Sequence, residues 1–132
     1  MLRYLAGFIA TALVLCALDG LWLGVIAADL YKRELGPLLL AKPLLPVAAL
    51  FYFLFVIGIQ LFAVMPARGV RWQAALRGGL FGFFTYMTYD LTNLATLHGW
   101  SGTIVGADIL WGIVVTALAA LAGSCATRRS GV

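Results

Sequence analysis

The stretch TYMTYDLTNLATLHGW, residues 85–100, decides how the chain is read. It sets Asp90, Asn93, two tyrosines and four threonines into a segment whose remaining residues are largely apolar. At helical spacing these residues sort by face. Gly79, Gly82, Tyr86, Asp90, Asn93 and Leu97 recur every three or four positions and form one seam of polar and small side chains. Thr85, Tyr89, Thr92 and Thr96 widen the seam, while Phe84, Leu91 and Leu94 supply an apolar face. A helix of this kind fits a membrane, its seam turned towards other helices and its apolar face towards lipid.

The surrounding chain agrees with that environment. Of 132 residues, 64% are hydrophobic and 11% charged, against about 25% charged in an ordinary soluble domain. A formal charge of +4 would suggest a nucleic-acid partner in a soluble protein, but all nine Lys and Arg fall at or near the ends of apolar runs. They therefore read as topology signals, and the partner is the lipid bilayer rather than nucleic acid. Four segments, 4–28, 43–64, 73–97 and 103–123, are each long enough to cross about 30 Å of hydrocarbon at about 1.5 Å per residue. The expected fold is all-α, a polytopic membrane protein formed as a bundle of four transmembrane helices in a single domain, 1–132.

The first run is too long for a signal-peptide core of about 7–15 residues. The connection DLYKRELGPLLLAK is the longest, and its apolar centre, 37–40, is expected on the membrane surface or folded back on the bundle. Pro43 suits a helix start, Pro66 and Gly69 break the chain at 65–72, and Gly99 suits a helix C-cap in a tight hairpin. Arg3, Arg68, Arg71, Arg77, Arg128 and Arg129 lie on one side, and Lys32, Arg33 and Lys42 on the other. Six against three predicts cytoplasmic termini for an inner-membrane protein. Cys16 and Cys125 fall too far apart along their helices to form a disulfide.

Three of the five carboxylates, Asp19, Asp90 and Asp108, fall inside helices. An ionised aspartate at mid-membrane costs about 2.5–3.5 kcal/mol on insertion scales, so these groups must be shallow, neutral, paired or turned to a cavity. Counted from the outer loops they lie about 14, 10 and 8 Å deep, all in the outer half. One shared pocket accounts for that more simply than three separate placements.

On the first helix Asp19, Trp22, Ile26 and Asp29 follow one stripe, with Gly20 and Gly24 a small-residue pair on the opposite side. The last helix aligns Asp108, Gly112, Thr116, Ala119 and Gly123. The second helix is uncharged, with only Tyr52 and Gln60 polar, and reads as a lipid-facing wall. DGLWLG at 19–24 is echoed by DILWGI at 108–113, a pattern of the kind that inverted repeats produce. No Lys or Arg lies within the helices beside the acids. Lys32, Arg33 and Lys42 must fold over them, or a bound cation or a proton must neutralise them.

The ligand- or proton-binding candidates are Asp19, Trp22, Tyr86, Tyr89, Asp90, Asn93, Asp108 and Trp111. His98 is a lone histidine with no metal-ligand spacing around it, and no metal or cofactor is named by the sequence. A nucleophile–base pair is absent from the polar cluster, so no catalytic residue is assigned. Three function classes fit: binding or transport of a small polar or cationic solute with proton coupling, an enzyme or accessory subunit acting on a lipid or isoprenoid, and a structural or assembly partner. The acids serve in the last as interhelical hydrogen-bonding groups, and a homodimer is compatible with each.

YDLTNLATLHGW at 89–100, with DILWG at 108–112 and DGLWLG at 19–24, resembles the bacterial membrane-protein family known as domain of unknown function 2177. The resemblance spans nearly the whole chain. It implies a small integral membrane protein with Asp19, Trp22, Asp90, Asn93, Asp108 and Trp111 at signature positions, and it supplies no catalytic residue.

Overall fold

The computed structural model describes residues 1–127, so Arg128 and Arg129, counted above towards orientation, lie outside the described residues. Five α-helices form there, and no strand is present among the described residues. Helix α1 (Leu2–Leu21) continues through a π-helical turn, Trp22–Ile26, into the short α2 (Ala28–Leu35). A 3-10 turn, Gly36–Leu38, and an extended stretch lead to α3 (Leu45–Ile59), which ends in a second π-helical turn, Gln60–Val64. Helices α4 (Arg71–Thr96) and α5 (Gly102–Thr127) complete the chain.

To the four helices expected the structure adds a fifth, the short α2, in a segment the sequence places in a loop. Its formation has a local cause. Asp29 stands in its first turn and Lys32 and Arg33 in its last, each favourable to the helix dipole. Tyr31 and Leu35, four residues apart, turn inward on one face, and Leu35 is buried. Lys32 and Arg33 stay exposed.

The other boundaries follow backbone chemistry. Pro46 rather than Pro43 occupies the first turn of α3, where its missing N–H is not needed. Pro66 stops the same segment because there the missing N–H would be needed for the next helical hydrogen bond. In the turn that follows, Arg68 has φ +50° and Gly69 φ +81°. Helix α4 ends at Thr96, and Gly99, at φ +77°, makes the hairpin turn beyond it instead of the C-cap itself. Ser101 Oγ then accepts from the backbone N–H groups of Thr103 and Ile104 and caps α5.

Three helical stretches, Leu2–Ile26, Leu45–Val64 and Gly102–Thr127, are long and apolar enough to cross a membrane. Helix α4 matches α5 in length, 26 residues, but carries Arg71, Arg77, Asp90 and Asn93. Helix α5 is the hub, with α1 and α4 packed on it. Gly78, Gly82 and Gly112 let α4 approach: a Cβ on Gly82 would lie 2.1 Å from the Gly112 carbonyl oxygen. Lipid gives helices no hydrophobic reason to associate, so this close van der Waals fit carries much of the cohesion.

Gly7 meets Gly123 on the far side of α5, and Gln60 donates from α3 to the Gly7 carbonyl (3.3 Å) and to Thr11 Oγ1 (2.7 Å). Phe55, Val56 and Ile59 of α3 join Leu15, Val115 and Ala119 in the core. The second spanning segment is therefore half core and half outer wall, not the wall alone. Gly20 and Gly24 meet nothing within 4 Å, so that pair packs against no described helix of this chain.

Candidate functional site: a carboxylate pair in an aromatic cavity

Helices α1 and α5 run antiparallel, since Gly7 faces Gly123 while Asp19 faces Trp111. Each carries an Asp-x-x-Trp unit, and one helical turn puts Asp and Trp on the same face. The antiparallel register sets the two units head to tail. Trp111 Nε1 donates to Asp19 Oδ1 at 2.9 Å. In the reciprocal direction Trp22 Nε1 donates to Tyr31 Oη at 3.3 Å, and Tyr31 in turn donates to Asp108 Oδ1. The two indoles stack with centroids 4.7 Å apart and planes 5° from parallel. The echo between residues 19–24 and 108–113 thus corresponds to an approximate local two-fold relation, broken where Tyr31 enters.

Two tyrosines that the sequence reading did not assign complete the shell. Tyr52 of α3 donates to Asp19 Oδ2 at 2.5 Å, so both Asp19 oxygens are engaged. Tyr31 comes from α2, which folds over this end of the bundle. The π-helical turn at Trp22–Ile26 helps aim that return, because Ala27 N reaches Trp22 O at 2.7 Å across five residues. Tyr52 was visible as one of two polar residues in an apolar helix, but nothing local in the sequence gives its rotation. Tyr31 carried no signal beyond its inward position in an amphipathic segment.

These groups border a cavity of about 600 Å³. Asp19 and Asp108 supply its carboxylates. Trp22, Trp111, Tyr31, Tyr86, Tyr89, Phe51 and Phe55 supply aromatic walls, with Leu23 and Thr85 between them. Among the described residues no Lys, Arg or His lines it. The cations of the first connection do not fold over the acids: Tyr31 takes that place, and Arg33 Nε pairs instead with Glu34 at 3.3 Å. Among the described residues this is the only ion pair.

Six of the eight sequence-derived candidates, Asp19, Trp22, Tyr86, Tyr89, Asp108 and Trp111, therefore line one space. Asp90 and Asn93 do not. Asp90 is fully buried at the α4–α5 contact, neither of its oxygens has a hydrogen-bond partner, and the unpartnered indole N–H of Trp100 belongs to the same region. Asn93 is half-buried outside the cavity. The single pocket expected for three acids holds two. Asp90 lies one helical turn beyond Tyr86 on the same seam of α4, and the lining contributed by α4 ends at Thr85, Tyr86 and Tyr89.

Above the cavity, Ser101 Oγ donates to Glu34 Oε2 at 2.6 Å and ties α2 to the start of α5. That hydrogen bond, followed by the one from Arg33, lowers the Glu34 pKa below the ordinary carboxylate value. His98 is exposed, and no group of three or more His, Cys, Asp or Glu side chains placed to hold a metal occurs among the described residues. Cys16 and Cys125 are free and exposed.

Neither a curated protein nor a solved structure matches the chain. A family described as "Predicted membrane protein (DUF2177)" matches residues 4–125, which takes in both Asp-x-x-Trp units, the aromatic cavity and every described helix in whole or in large part. The chain belongs to the DUF2177 family of predicted membrane proteins.

Proposed function

We propose that the protein is a four-span membrane protein whose aromatic cavity binds a small organic cation with an apolar body, as part of moving it across the membrane. The observation that carries this reading is the pairing of Asp19 with Asp108, from two helices, in a cavity with aromatic walls and no basic residue. Negative charge beside aromatic faces favours a cation through both Coulomb attraction and cation–π contact. The volume of about 600 Å³ falls within the range of small-molecule sites. The Asp108 carboxylate makes one hydrogen bond, through Oδ1, which leaves Oδ2 for a ligand.

The fourth span in this reading is α4, whose polar seam is covered by α5. The cavity lies in the outer half of a bacterial inner membrane with both termini cytoplasmic. The gathering of Arg3, Arg68, Arg71 and Arg77 towards one end of the bundle, four against Lys32, Arg33 and Lys42 near the other, supports that orientation. Proton coupling is assigned to Asp90, a fully buried carboxyl group apart from the cation cavity, whose burial favours the neutral acid.

Titration of tetraphenylphosphonium into the protein in lipid nanodiscs, read by quenching of Trp22 and Trp111, tests the binding. Saturable quenching is expected, weakened roughly tenfold by Asp108→Asn, with little response to neutral triphenylphosphine. Equal response to the neutral probe, or no effect of the substitution, would overturn the cation assignment. In proteoliposomes, uptake of the same cation against an imposed proton gradient is expected to fall on Asp90→Asn while binding persists.

A further inference from the structure

At the opposite end of the bundle lies a second cavity, of about 530 Å³, where the start of α1, the α3–α4 turn and the end of α5 meet. Arg3 and Arg68 line it from separate elements, Thr127 adds a hydroxyl, and Val64, Met65 and Val70 form an apolar side. The Arg3 guanidinium lies over the Tyr4 ring, 4.8 Å from its centroid, and donates to Tyr4 Oη at 3.1 Å. Arg68 adopts φ +50°, a conformation that disfavours any side chain larger than glycine's. It is nevertheless held there, by Arg68 N donating to Met65 O and Val70 N to Ala67 O, with Ala67 fully buried. Non-glycine residues kept in such backbone states concentrate at functional sites.

Charge sharpens the reading. None of the five carboxylate side chains in the sequence lines this cavity, and neither arginine takes part in an ion pair among the described residues. Among the described residues the Arg68 guanidinium has no hydrogen-bond partner and Arg3 gives one N–H to Tyr4, so both keep donors at one cavity and match a phosphate group, which accepts paired N–H donors. The apolar side places aliphatic surface directly beside that charge. Basic pockets between helices at a membrane boundary are suited to phospholipid headgroups, whose phosphate adjoins glycerol and acyl chain.

We propose that this cavity is a phosphate-binding site, with Arg3 and Arg68 as its two anchors and the headgroup phosphate of an anionic phospholipid as its occupant. The site is separate from the aromatic cavity, and its assignment does not depend on the function proposed there.

Native mass spectrometry of the full-length protein, with phosphatidylglycerol or phosphatidylcholine added to detergent micelles, gives the test. One retained phosphatidylglycerol is expected, with phosphatidylcholine bound at least roughly tenfold more weakly. Arg3→Gln and Arg68→Gln should each reduce retention by about the same factor, whereas Arg71→Gln, which removes equal charge outside the cavity, should not. Arg68→Gly guards against misfolding, since glycine suits φ +50° and the variant should unfold no earlier than wild type while losing the lipid. Inorganic phosphate bound at millimolar concentration with no phosphatidylglycerol retained would support the phosphate site but overturn the lipid as its occupant. Equal retention in all variants, or equal loss on Arg71→Gln, would overturn the site.

Discussion

Asp19 and Asp108 show how two aspartates with the same local motif come to differ. Asp19 accepts from two donors, Tyr52 and Trp111, whereas Asp108 accepts from Tyr31 alone. An asparagine keeps one carbonyl oxygen and turns an N–H donor toward any second donor. Asp19→Asn should therefore destabilise by about 1–3 kcal/mol, the cost of stranding a buried donor, and Asp108→Asn by under about 1 kcal/mol. Unfolding midpoints in mixed detergent micelles check this ordering, and equal losses would contradict the hydrogen-bond assignment. The motif itself was legible, because Asp-x-x-Trp is a local spacing. Its donors were not, since Tyr31 and Tyr52 lie 77 and 33 residues from the acids they serve.

At the scale of elements, α2 and the α4–α5 pair make separate predictions. Helix α2 is fastened by Ser101 to Glu34, and the lowered Glu34 pKa fixes the sign of its pH response. A carboxylate whose folded-state pKa is depressed contributes stability above its unfolded pKa and loses it as pH falls through the folded value. Amide exchange across 28–35 should therefore speed up below about pH 4.3, the ordinary Glu value, and Ser101→Ala should diminish that dependence. For the α4–α5 pair, Gly82→Ala and Gly112→Ala should each cost about 1–3 kcal/mol through overpacking, because the added carbons meet backbone and the Tyr86 ring. Gly20→Ala, in open space, should cost far less in the same unfolding assay. All three glycines look alike as helical small residues in sequence. What separates them is the neighbour each one faces, which no local pattern records.

Over the whole molecule, the two cavities stand at opposite ends and carry opposite charge: carboxylates where α2 folds over, arginines where the start of α1 and the α3–α4 turn meet. Opposed in this way, an outer cavity would gather cations while an inner one holds an anionic lipid. A cysteine placed at His98, which is exposed beside the α4–α5 hairpin, should be modified by an impermeant thiol reagent added outside intact cells. Because Cys16 and Cys125 are also exposed, the experiment requires both to be replaced by serine first. Modification only after the membrane is opened would reverse the proposed orientation, and with it the sides on which the two cavities lie.

The sequence by itself determined the helical class, three of the membrane-crossing segments and the polar seam within residues 85–100. Hydropathy, helical period and chain breakers are local quantities, and they act in the same way whatever the rest of the chain does. It also placed Asp19, Trp22, Asp108 and Trp111 among the site candidates, because each pair lies one turn apart on a helix. Only the tertiary structure decided that Asp90 lies outside the cavity, that Tyr31 lines it and that Tyr52 holds Asp19 from behind that lining. It also turned the cations of the first connection away from the acids and put a tyrosine in their place. Those outcomes depend on the rotation of each helix about its axis and on the return of α2. Both are set by contacts between segments far apart in sequence, with the glycine-lined approach of α4 to α5 foremost, so residues 85–100 hold the seam but not the identity of what covers it.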